Sequence, residues 1–305
     1  MTEPPRASHR ILALAIGVVG AVLGLLPWIL AGTLPLQNLW AVQTLPEAMP
    51  FVLLPLSQYY VTLLFSLVLL GGVFAGLAVR VARRRRTVAL WPAALGVALV
   101  HLTAAVQSFG VLADGLGLWG GAGDVRAALY FGGLLGGTIV AALLAQLGLW
   151  MTAHRSVAVA SLGIALAAVP FGTWVVRWFG AFAGPTGPGE FVSTVVFWMP
   201  GVIVGAALVW CGVRPLSRLI AWVIALLGLW VTPALFTAIG YGLGMRALQG
   251  DLREMAEAST QLFPVVLAEM WRPVVLAVLI AVIGSIVRVA LEKRSARTTD
   301  AVVTS

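Results

Sequence analysis

The chain has 305 residues, of which 61% are hydrophobic and 10% are charged, and its mean hydropathy is +1.02. Soluble domains carry about 25% charged residues and about half apolar ones, so this composition excludes a water-soluble globule and predicts an integral membrane protein. The formal net charge of +8 does not indicate nucleic-acid binding, because the basic residues flank apolar segments, where they bear on membrane orientation.

The apolar residues fall into eight stretches, each long enough to cross a bilayer as a helix. A span of about 30 Å of hydrocarbon needs about 20 residues at about 1.5 Å each. The sequence therefore predicts an all-α integral membrane protein, a compact bundle of about eight transmembrane helices. The predicted spans are 11–32, 59–79, 87–110, 127–151, 157–178, 192–212, 219–241 and 266–288. One transmembrane domain, 11–288, would then lie between tails at 1–10 and 289–305.

The first span follows a basic segment, RASHR, as the apolar part of a secretory signal sequence does. Cleaved signals carry an apolar run of roughly 7–15 residues, whereas this run has about 22. It also lacks a small-x-small cleavage site, because Ile29 stands where a small residue would be needed before Ala31. We therefore expect the segment to be retained as a signal-anchor helix.

Basic residues gather on one side of the predicted membrane. With a cytoplasmic N-terminus, 14 of the 19 Lys and Arg residues lie on the cytoplasmic side, together with three of the 11 acids. Lys and Arg near span ends set orientation, so both termini are predicted to be cytoplasmic. The run RVARRRR after the second span could attract anionic lipid at about 1 kcal/mol per basic residue, or serve only as a topology determinant. Arg dominates the basic residues, which favours a GC-rich bacterial source and hence the cytoplasmic (inner) membrane.

The third span carries the one titratable side chain expected deep in the membrane. His101 lies toward its external part, and Gln107 follows near the external end. A histidine can change protonation near neutral pH, so a role in a permeation path is one hypothesis and a hydrogen bond between helices is the other. The centres of the predicted spans hold no Asp, Glu, Lys or Arg, which disfavours a pump built on a carboxylate relay.

Small residues recur four apart in several spans, a spacing that places glycines on one helix face and lets helices approach closely. The pairs are Gly20/Gly24, Gly72/Gly76, Gly132/Gly136, Gly133/Gly137 and Gly201/Gly205. They predict a compact bundle. A weak echo also links the openings of the third and seventh spans, RRRRTVALWPAALG and RPLSRLIAWVIALLG. It leads to the hypothesis of a four-plus-four parallel repeat, as in some transporters.

Polar and aromatic residues concentrate at the predicted external span ends and could form a vestibule. The candidates for binding residues there are His101, Gln107, Arg177, Glu190, Glu269, Trp271 and Arg272. The aromatic residues at the same ends are Trp28, Trp40, Tyr59, Tyr60, Tyr130, Trp178, Trp198, Tyr241 and Trp271. An interfacial belt explains most of these rings, although they could also line a site for a lipid-like molecule.

The last external loop contains GDLREMAEASTQLF, in which apolar residues recur at helical spacing opposite three acids. This pattern predicts a short amphipathic helix near 251–263 on the external surface. One hypothesis makes it a lid over a vestibule, and the other makes it a packed connector.

The segment AEMWRPVV opens the last span. A helix beginning at Pro273 would leave only about 16 residues before Arg288, too few to cross the membrane. We therefore expect the helix to begin near Pro264 and to bend at Pro273. Glu269 and Arg272 would then form an i,i+3 pair at the interface, either as an anchor or as part of a binding site.

No constellation in the sequence identifies an enzyme. Motifs such as H-E-x-x-H and the P-loop are missing. Cys211 is the single cysteine, which excludes an intrachain disulfide and a cysteine metal cluster, and we expect an inert thiol. His9 and His154 lie on the predicted side opposite His101, so a three-histidine metal site is not expected. We predict a protein without catalytic activity, metal or cofactor, with an intramembrane enzyme as the minor alternative.

Two functions remain open at this point. The first is transport or handling of a small or lipid-like molecule through the external polar and aromatic vestibule, and it requires a cavity that reaches into the bundle. The second is a structural or accessory subunit that binds a partner membrane protein, which the glycine-rich helix faces favour. The lipid bilayer is the partner that both functions share, and neither involves nucleic acid.

Overall fold

The structure is a computed structural model that describes residues 7–31, 48–120, 124–183, 189–216, 218–244 and 251–303. Over these ranges the chain forms α-helices and no strand. The helices are α1 (Ala7–Leu30), α2 (Val61–Ala82), α3 (Leu90–Gly115), α4 (Val125–Ala153), α5 (Val157–Leu166), α6 (Ala168–Ala183), α7 (Glu190–Cys211), α8 (Arg218–Gly244), α9 (Leu252–Glu269) and α10 (Trp271–Val303). Residues 1–6 of the predicted tail, Trp40 and residues 304–305 lie outside the described ranges.

The all-α membrane bundle predicted from the sequence is confirmed. Within the described chain, seven helices are long and apolar enough to cross a membrane, and α5 with α6 forms a pair bent by 45° that makes an eighth span if counted as one. The bend follows from Pro170, which has no N–H to donate to the Leu166 carbonyl and whose ring crowds it. Accordingly α5 ends at Leu166 and α6 begins at Ala168. The protein is a multi-pass membrane protein.

The last span begins later than the sequence predicts. The amphipathic helix expected near 251–263 continues as α9 to Glu269, the chain turns at Met270, and α10 starts at Trp271. Pro273 thus lies in a first helical turn, where its missing N–H costs no intrahelical bond, and no helix runs through it from Pro264. The span gains its length at the other end, because its apolar part is 22 residues long and reaches Glu292.

The bundle has two halves that repeat one scheme of helix contacts. In the first half, α1 contacts α2 and α3, while α4 contacts α2 and α3. In the second half, the bent pair α5 and α6 contacts α7 and α8, while α10 contacts α7 and α8. This is the scheme that a four-plus-four parallel repeat requires. We call the boundary at which α2 and α4 meet α5, α6 and α8 the seam.

Glycines bring the second and fourth spans of each half together. A Cβ on Gly76 would lie 2.5 Å from the Leu149 carbonyl oxygen of α4, and a Cβ on Gly201 would lie 2.6 Å from the Pro273 carbonyl oxygen of α10. Such distances leave no room for a side chain, so both contacts depend on glycine. Three glycines of α4 differ, because a Cβ on Gly132, Gly133 or Gly136 would meet nothing within 4 Å. The same glycine spacing therefore serves packing between helices in α2 and α7. In α4 it forms a face, Gly132, Gly133 and Gly136, that packs against no described residue, and we call it the bare face.

Arginines from neighbouring helices cap α4 at one end of the bundle, which we call the basic end. Arg80 donates to the His154 carbonyl, and Arg83 donates to the carbonyls of Ala153 at 3.0 Å and Val88 at 2.9 Å. Cations near a helix C-terminus offset the partial negative charge of its free carbonyls. Burial, and then the nearby charge of Arg155, lower the pKa of Arg83.

The C-terminus of α7 is capped in the same way. Arg218 donates to the Cys211 carbonyl at 2.6 Å, and Arg288 donates to the Val209 and Trp210 carbonyls at 3.2 and 3.3 Å. The guanidinium carbon of Arg80 also lies 4.8 Å from the centre of the Trp210 ring. Because α2 and α7 belong to different halves, this cation–π contact joins them across the basic end.

Candidate functional site

At the opposite end of the bundle, the first half is filled by a non-helical segment, residues 51–57. Val52, Leu54 and Leu56 are each only 1% exposed and belong to the hydrophobic core of this half. Trp28 is 3% exposed and donates through Nε1 to the Val52 carbonyl at 2.8 Å. Trp28 is thus a core residue, and its assignment to an interfacial belt is corrected. Among the described residues, the space expected for a vestibule in the first half is thus occupied by apolar side chains of the segment 51–57.

Gln107 holds that segment in place. Its Oε1 accepts from the Leu53 N–H at 3.0 Å, and its Nε2 donates to the Phe51 carbonyl at 2.8 Å. The neighbouring Ser108 hydroxyl accepts from the Leu54 N–H at 2.9 Å. These bonds satisfy backbone groups that no helix or strand satisfies. The amide of Gln107 therefore positions the segment 51–57 through both its oxygen and its nitrogen.

His101 is buried inside the first half. It is 5% exposed, and its Nε2 lies 3.1 Å from where a Cβ on Gly71 of α2 would stand, so Gly71 makes room for the ring. Neither ring nitrogen has a hydrogen-bond partner among the described residues. His101 therefore does not form, with any described residue, the hydrogen bond between helices that the sequence suggested.

Arg177 lies near the end of α6, on the side that faces α1. Its guanidinium carbon is 5.1 Å from the centre of the Trp28 ring, and that ring in turn lies 6.0 Å from the ring of Tyr60. The Nε and Nη2 atoms of Arg177 are buried and have no hydrogen-bond partner in the described chain.

The remaining candidates lie on the surface of the second half. Glu190 is exposed as the first residue of α7. Glu269 and Arg272 approach to 3.8 Å, with side chains 65% and 54% exposed, and Arg272 lies 6.0 Å from the ring of Trp271, itself 52% exposed. These positions fit an interface anchor, and the structure does not bring Glu269 and Arg272 together with Arg177.

Two cavities adjoin along the seam, and none of the seven candidates lines either of them. The second lies between α2 and α4 on one side and α5, α6 and α8 on the other, whereas the first extends from Thr62 of α2 into the second half, where α6, α7 and α8 line most of it. The first has a volume of about 540 Å³ and is lined by Tyr59, Thr62, Val169, Gly172, Thr173, Val176, Val196, Phe197, Pro200, Leu229, Pro233, Phe236, Thr237, Gly240, Met270 and Pro273. The second has a volume of about 510 Å³ and is lined by Val61, Thr62, Phe65, Leu69, Val73, Leu144, Leu147, Gly148, Met151, Gly163, Leu166, Ala167, Pro170, Thr232, Leu235, Phe236 and Ile239. Thr62 and Phe236 line both, so the cavities adjoin.

The two cavities differ slightly in polarity. The second is lined by apolar side chains apart from Thr62 and Thr232, and several of its lining residues, among them Leu147 at 47% exposed, also face the outside of the bundle. The first adds the hydroxyls of Thr173, Thr237 and Tyr59. A molecule that fills both would therefore meet apolar surface along most of its length and hydroxyl groups toward one end.

Prolines add hydrogen-bond acceptors to the first cavity. Pro200 and Pro233 lie inside α7 and α8 and cannot donate to the carbonyls four residues earlier, which belong to Val196 and Leu229. All four residues line the first cavity. A Cβ on Gly172 would lie 3.8 Å from the Val196 oxygen, so that carbonyl is directed toward α6.

Of the residues that line the cavities, sequence reasoning named only Tyr59 as a possible lining residue, as one of the external aromatic residues. It missed the others, since Val, Thr, Phe and Pro within apolar spans have no distinctive pattern. The prolines were a further available signal, because in membranes they often accompany broken helices that line cavities. The chain matches no protein-family model, no curated protein and no solved structure.

Proposed function

We propose that this protein transports or handles a small, lipid-like molecule at the seam, without catalysing a reaction on it. The observation that carries the proposal is the pair of adjoining cavities along the seam, which share Thr62 and Phe236. Each volume falls within the range of about 300–1,000 Å³ typical of small-molecule sites, and such sites are mostly apolar with a few placed polar groups.

The position of the cavities supports transport over simple binding. In transporters built from repeats, the substrate site lies at the interface between repeats, and one repeat moves against the other around it. Here the two halves share one contact scheme, the second cavity lies where they meet, and the first extends from it into the second half. We further propose that the basic end faces the cytoplasm and that the protein resides in a bacterial cytoplasmic membrane, as the bias of Lys and Arg predicts.

Filling the first cavity tests the proposal. Gly172 lines it, and a Cβ there would make only ordinary contact, 3.4 Å from Val196 Cγ1. In Gly172→Leu the added side chain would therefore occupy the cavity with little strain in the helix. The matched control is Gly133→Leu, the same change on the bare face of α4.

The measurement is photocrosslinking of purified protein with a diazirine-bearing fatty acid, followed by peptide mapping. We expect adducts on seam residues such as Phe236 and Thr237 in the parent protein and in Gly133→Leu, and their loss in Gly172→Leu. Adducts confined to lipid-facing residues of α4 and α10, unchanged by Gly172→Leu, would refute occupancy of the seam.

A second candidate function, an accessory subunit, is favoured by one observation. Gly132, Gly133 and Gly136 form a face of α4 on which an added Cβ would meet nothing within 4 Å, and such faces allow close helix association in membranes. Gly136→Leu should then abolish co-purification of a membrane partner from native membranes, while Gly172→Leu should leave it intact. A parent protein that purifies alone would count against this function.

A further inference from the structure

Arg177 differs from the other described arginines in the state of its hydrogen-bond donors. Among the residues that the structure describes, it alone of the arginines has buried side-chain nitrogens without a partner. At the basic end, Arg83, Arg218 and Arg288 donate to helix carbonyls. Arg253 and Arg272 pair with carboxylates. Buried donors that lack a partner are costly, more so when the group is charged.

The two unpartnered atoms of Arg177 form one edge of its guanidinium group. Nε and Nη2 direct their N–H bonds side by side, and this edge matches two oxygens of a single phosphate or carboxylate group. The guanidinium carbon lies 5.1 Å from the centre of the Trp28 ring. The Nε and Nη2 edge, although buried, is therefore the part of the group whose hydrogen bonds remain to be made.

No ion pair joins Arg177 to a carboxylate of the described residues. Glu257, Glu269 and Glu292 pair with arginines on their own or adjoining helices. Asp124 and Asp251 accept from the backbone N–H groups at the starts of α4 and α9. The cation–π contact with Trp28 offsets only part of the cost of burying the charge. An anion from outside the described residues would supply the missing hydrogen-bond acceptors.

The depth of Arg177 indicates where that anion comes from. Arg177 lies two residues before Phe179, the last residue of the candidate span formed with α6. The end of a span lies at the boundary between hydrocarbon and headgroups, where phosphate is the abundant oxyanion. We propose that Arg177, held against Trp28 and beside Tyr60, is a binding site for a phosphate group, supplied by a phospholipid headgroup or by free phosphate.

This site is separate from the seam. Thr173 and Val176 of the same helix line the first cavity, whereas Arg177 faces Trp28 of α1. A phosphate bound at Arg177 would therefore lie between α6 and α1, and its loss would leave the seam cavities unchanged. The inference stands whether or not the seam carries a lipid-like molecule.

The test compares Arg177→Gln with Arg272→Gln, an exposed arginine of the second half whose edge is paired with Glu269. Both proteins are purified in detergent, exchanged into mixed micelles of defined lipid, and analysed by native mass spectrometry. With phosphatidylglycerol, we expect Arg177→Gln to lose about tenfold in retained lipid, the size expected for a charged hydrogen bond, and Arg272→Gln to retain as much as the parent. Diacylglycerol, which lacks the phosphate, should be retained equally by all three.

A second pair of variants keeps the test valid if Arg177→Gln does not fold. Arg177→Lys preserves the charge but lacks the planar edge, so it should also retain less phosphatidylglycerol, while Arg272→Lys should not. Inorganic phosphate is tested alone: a rise in the thermal unfolding midpoint of the parent but not of Arg177→Lys identifies free phosphate as the source. No response to phosphate, together with loss of phosphatidylglycerol, identifies the lipid headgroup.

Three outcomes would overturn the proposal. The first is equal retention of phosphatidylglycerol by the Arg177 and Arg272 variants with no response to phosphate. The second is an equal loss of diacylglycerol in Arg177→Gln, which would assign the effect to the acyl chains. The third is higher retention of phosphatidylglycerol in Glu47→Gln than in the parent. Glu47 lies outside the described residues, and this result would show that its carboxylate, rather than a phosphate, normally occupies the Nε and Nη2 edge of Arg177.

Discussion

The two ends of the bundle use arginine in opposite ways. At the basic end, Arg83, Arg218 and Arg288 reach across to carbonyl oxygens at the C-termini of α4 and α7, so their donors are consumed by the fold. At the opposite end, Arg177 is placed over Trp28 with one edge of its guanidinium group unbonded in the described chain. Arginine at the end of a membrane helix can thus either donate hydrogen bonds to free helix carbonyls or keep its donors available for a bound anion.

The difference shows that residue type alone does not mark a binding site in a membrane protein. Helices that end at the membrane surface leave four carbonyls each without a helical partner, and arginine is well suited to satisfy them from a distance because its fork carries five N–H donors. What distinguishes Arg177 is that two of its N–H donor atoms have no hydrogen-bond partner in the described chain, which only the three-dimensional structure shows.

The largest effect is expected at the basic end, in Arg83→Gln. The change removes charged hydrogen bonds to two carbonyls, those of Ala153 and Val88, and should lower the free energy of unfolding by about 2–3 kcal/mol. The matched control is Arg84→Gln, the neighbouring arginine, which is exposed and should change stability by less than about 0.5 kcal/mol. Thermal unfolding in detergent measures both, and equal losses would show that only net charge matters here.

The next effect has the opposite sign. In lipid-free detergent without phosphate, Arg177→Gln should leave the protein as stable as the parent or more stable by about 1 kcal/mol, because removing an uncompensated buried charge outweighs the lost contact with Trp28. The same thermal unfolding measurement applies. A loss as large as that of Arg83→Gln would mean that Arg177 is satisfied by the chain itself, and the contrast between the two ends would disappear.

A smaller effect is expected where the basic end joins the two halves. Arg80 lies 4.8 Å from the centre of the Trp210 ring, and a cation–π contact at a partly exposed site contributes about 0.5–1 kcal/mol. A double-mutant cycle with Arg80→Gln and Trp210→Leu should yield a coupling energy of that size. The cycle is needed because Arg80 also donates to the His154 carbonyl. Strict additivity would show that the halves are not coupled through this pair.

The sequence predicted most of the fold because spans are local features. The lengths of the apolar runs located the helices within a few residues. The excess of Lys and Arg in alternate connections between spans predicted which helix ends lie together at the basic end. The errors came from proline. Pro170 ends α5 at Leu166, and Pro273 lies in the first turn of α10, whereas the sequence pattern predicts one continuous helix bent at Pro273. Sequence alone does not tell a bend from a break, since the outcome depends on whether neighbours satisfy the freed carbonyl.

The candidate site was harder to predict, because polarity was the only available signal. Gln107 carries a polar side chain near the external end of its span, as the sequence indicates, but its amide bonds the segment 51–57, which local pattern assigns to a loop. The seam cavities are built from threonines, prolines and apolar residues on helices distant in sequence. Their convergence depends on how the halves pack, and no spacing within one helix encodes it.

The smallest effect should be the same at both ends. Glu269 pairs with Arg272 at the opposite end, and Glu292 pairs with Arg288 near the basic end; the two ion pairs have similar exposure. Exposed pairs of this kind contribute about 0.2–0.5 kcal/mol, and salt screens them. Glu269→Gln and Glu292→Gln should therefore each cost no more than about 0.5 kcal/mol, and the cost should vanish in about 1 M salt. If Glu269→Gln alone caused a large loss that salt did not reduce, its pair with Arg272 would have to be more than an interface anchor. Equal, small, salt-sensitive losses would instead show that ion pairs do not distinguish the ends, which leaves the carbonyl caps and the unbonded edge of Arg177 as the features that do.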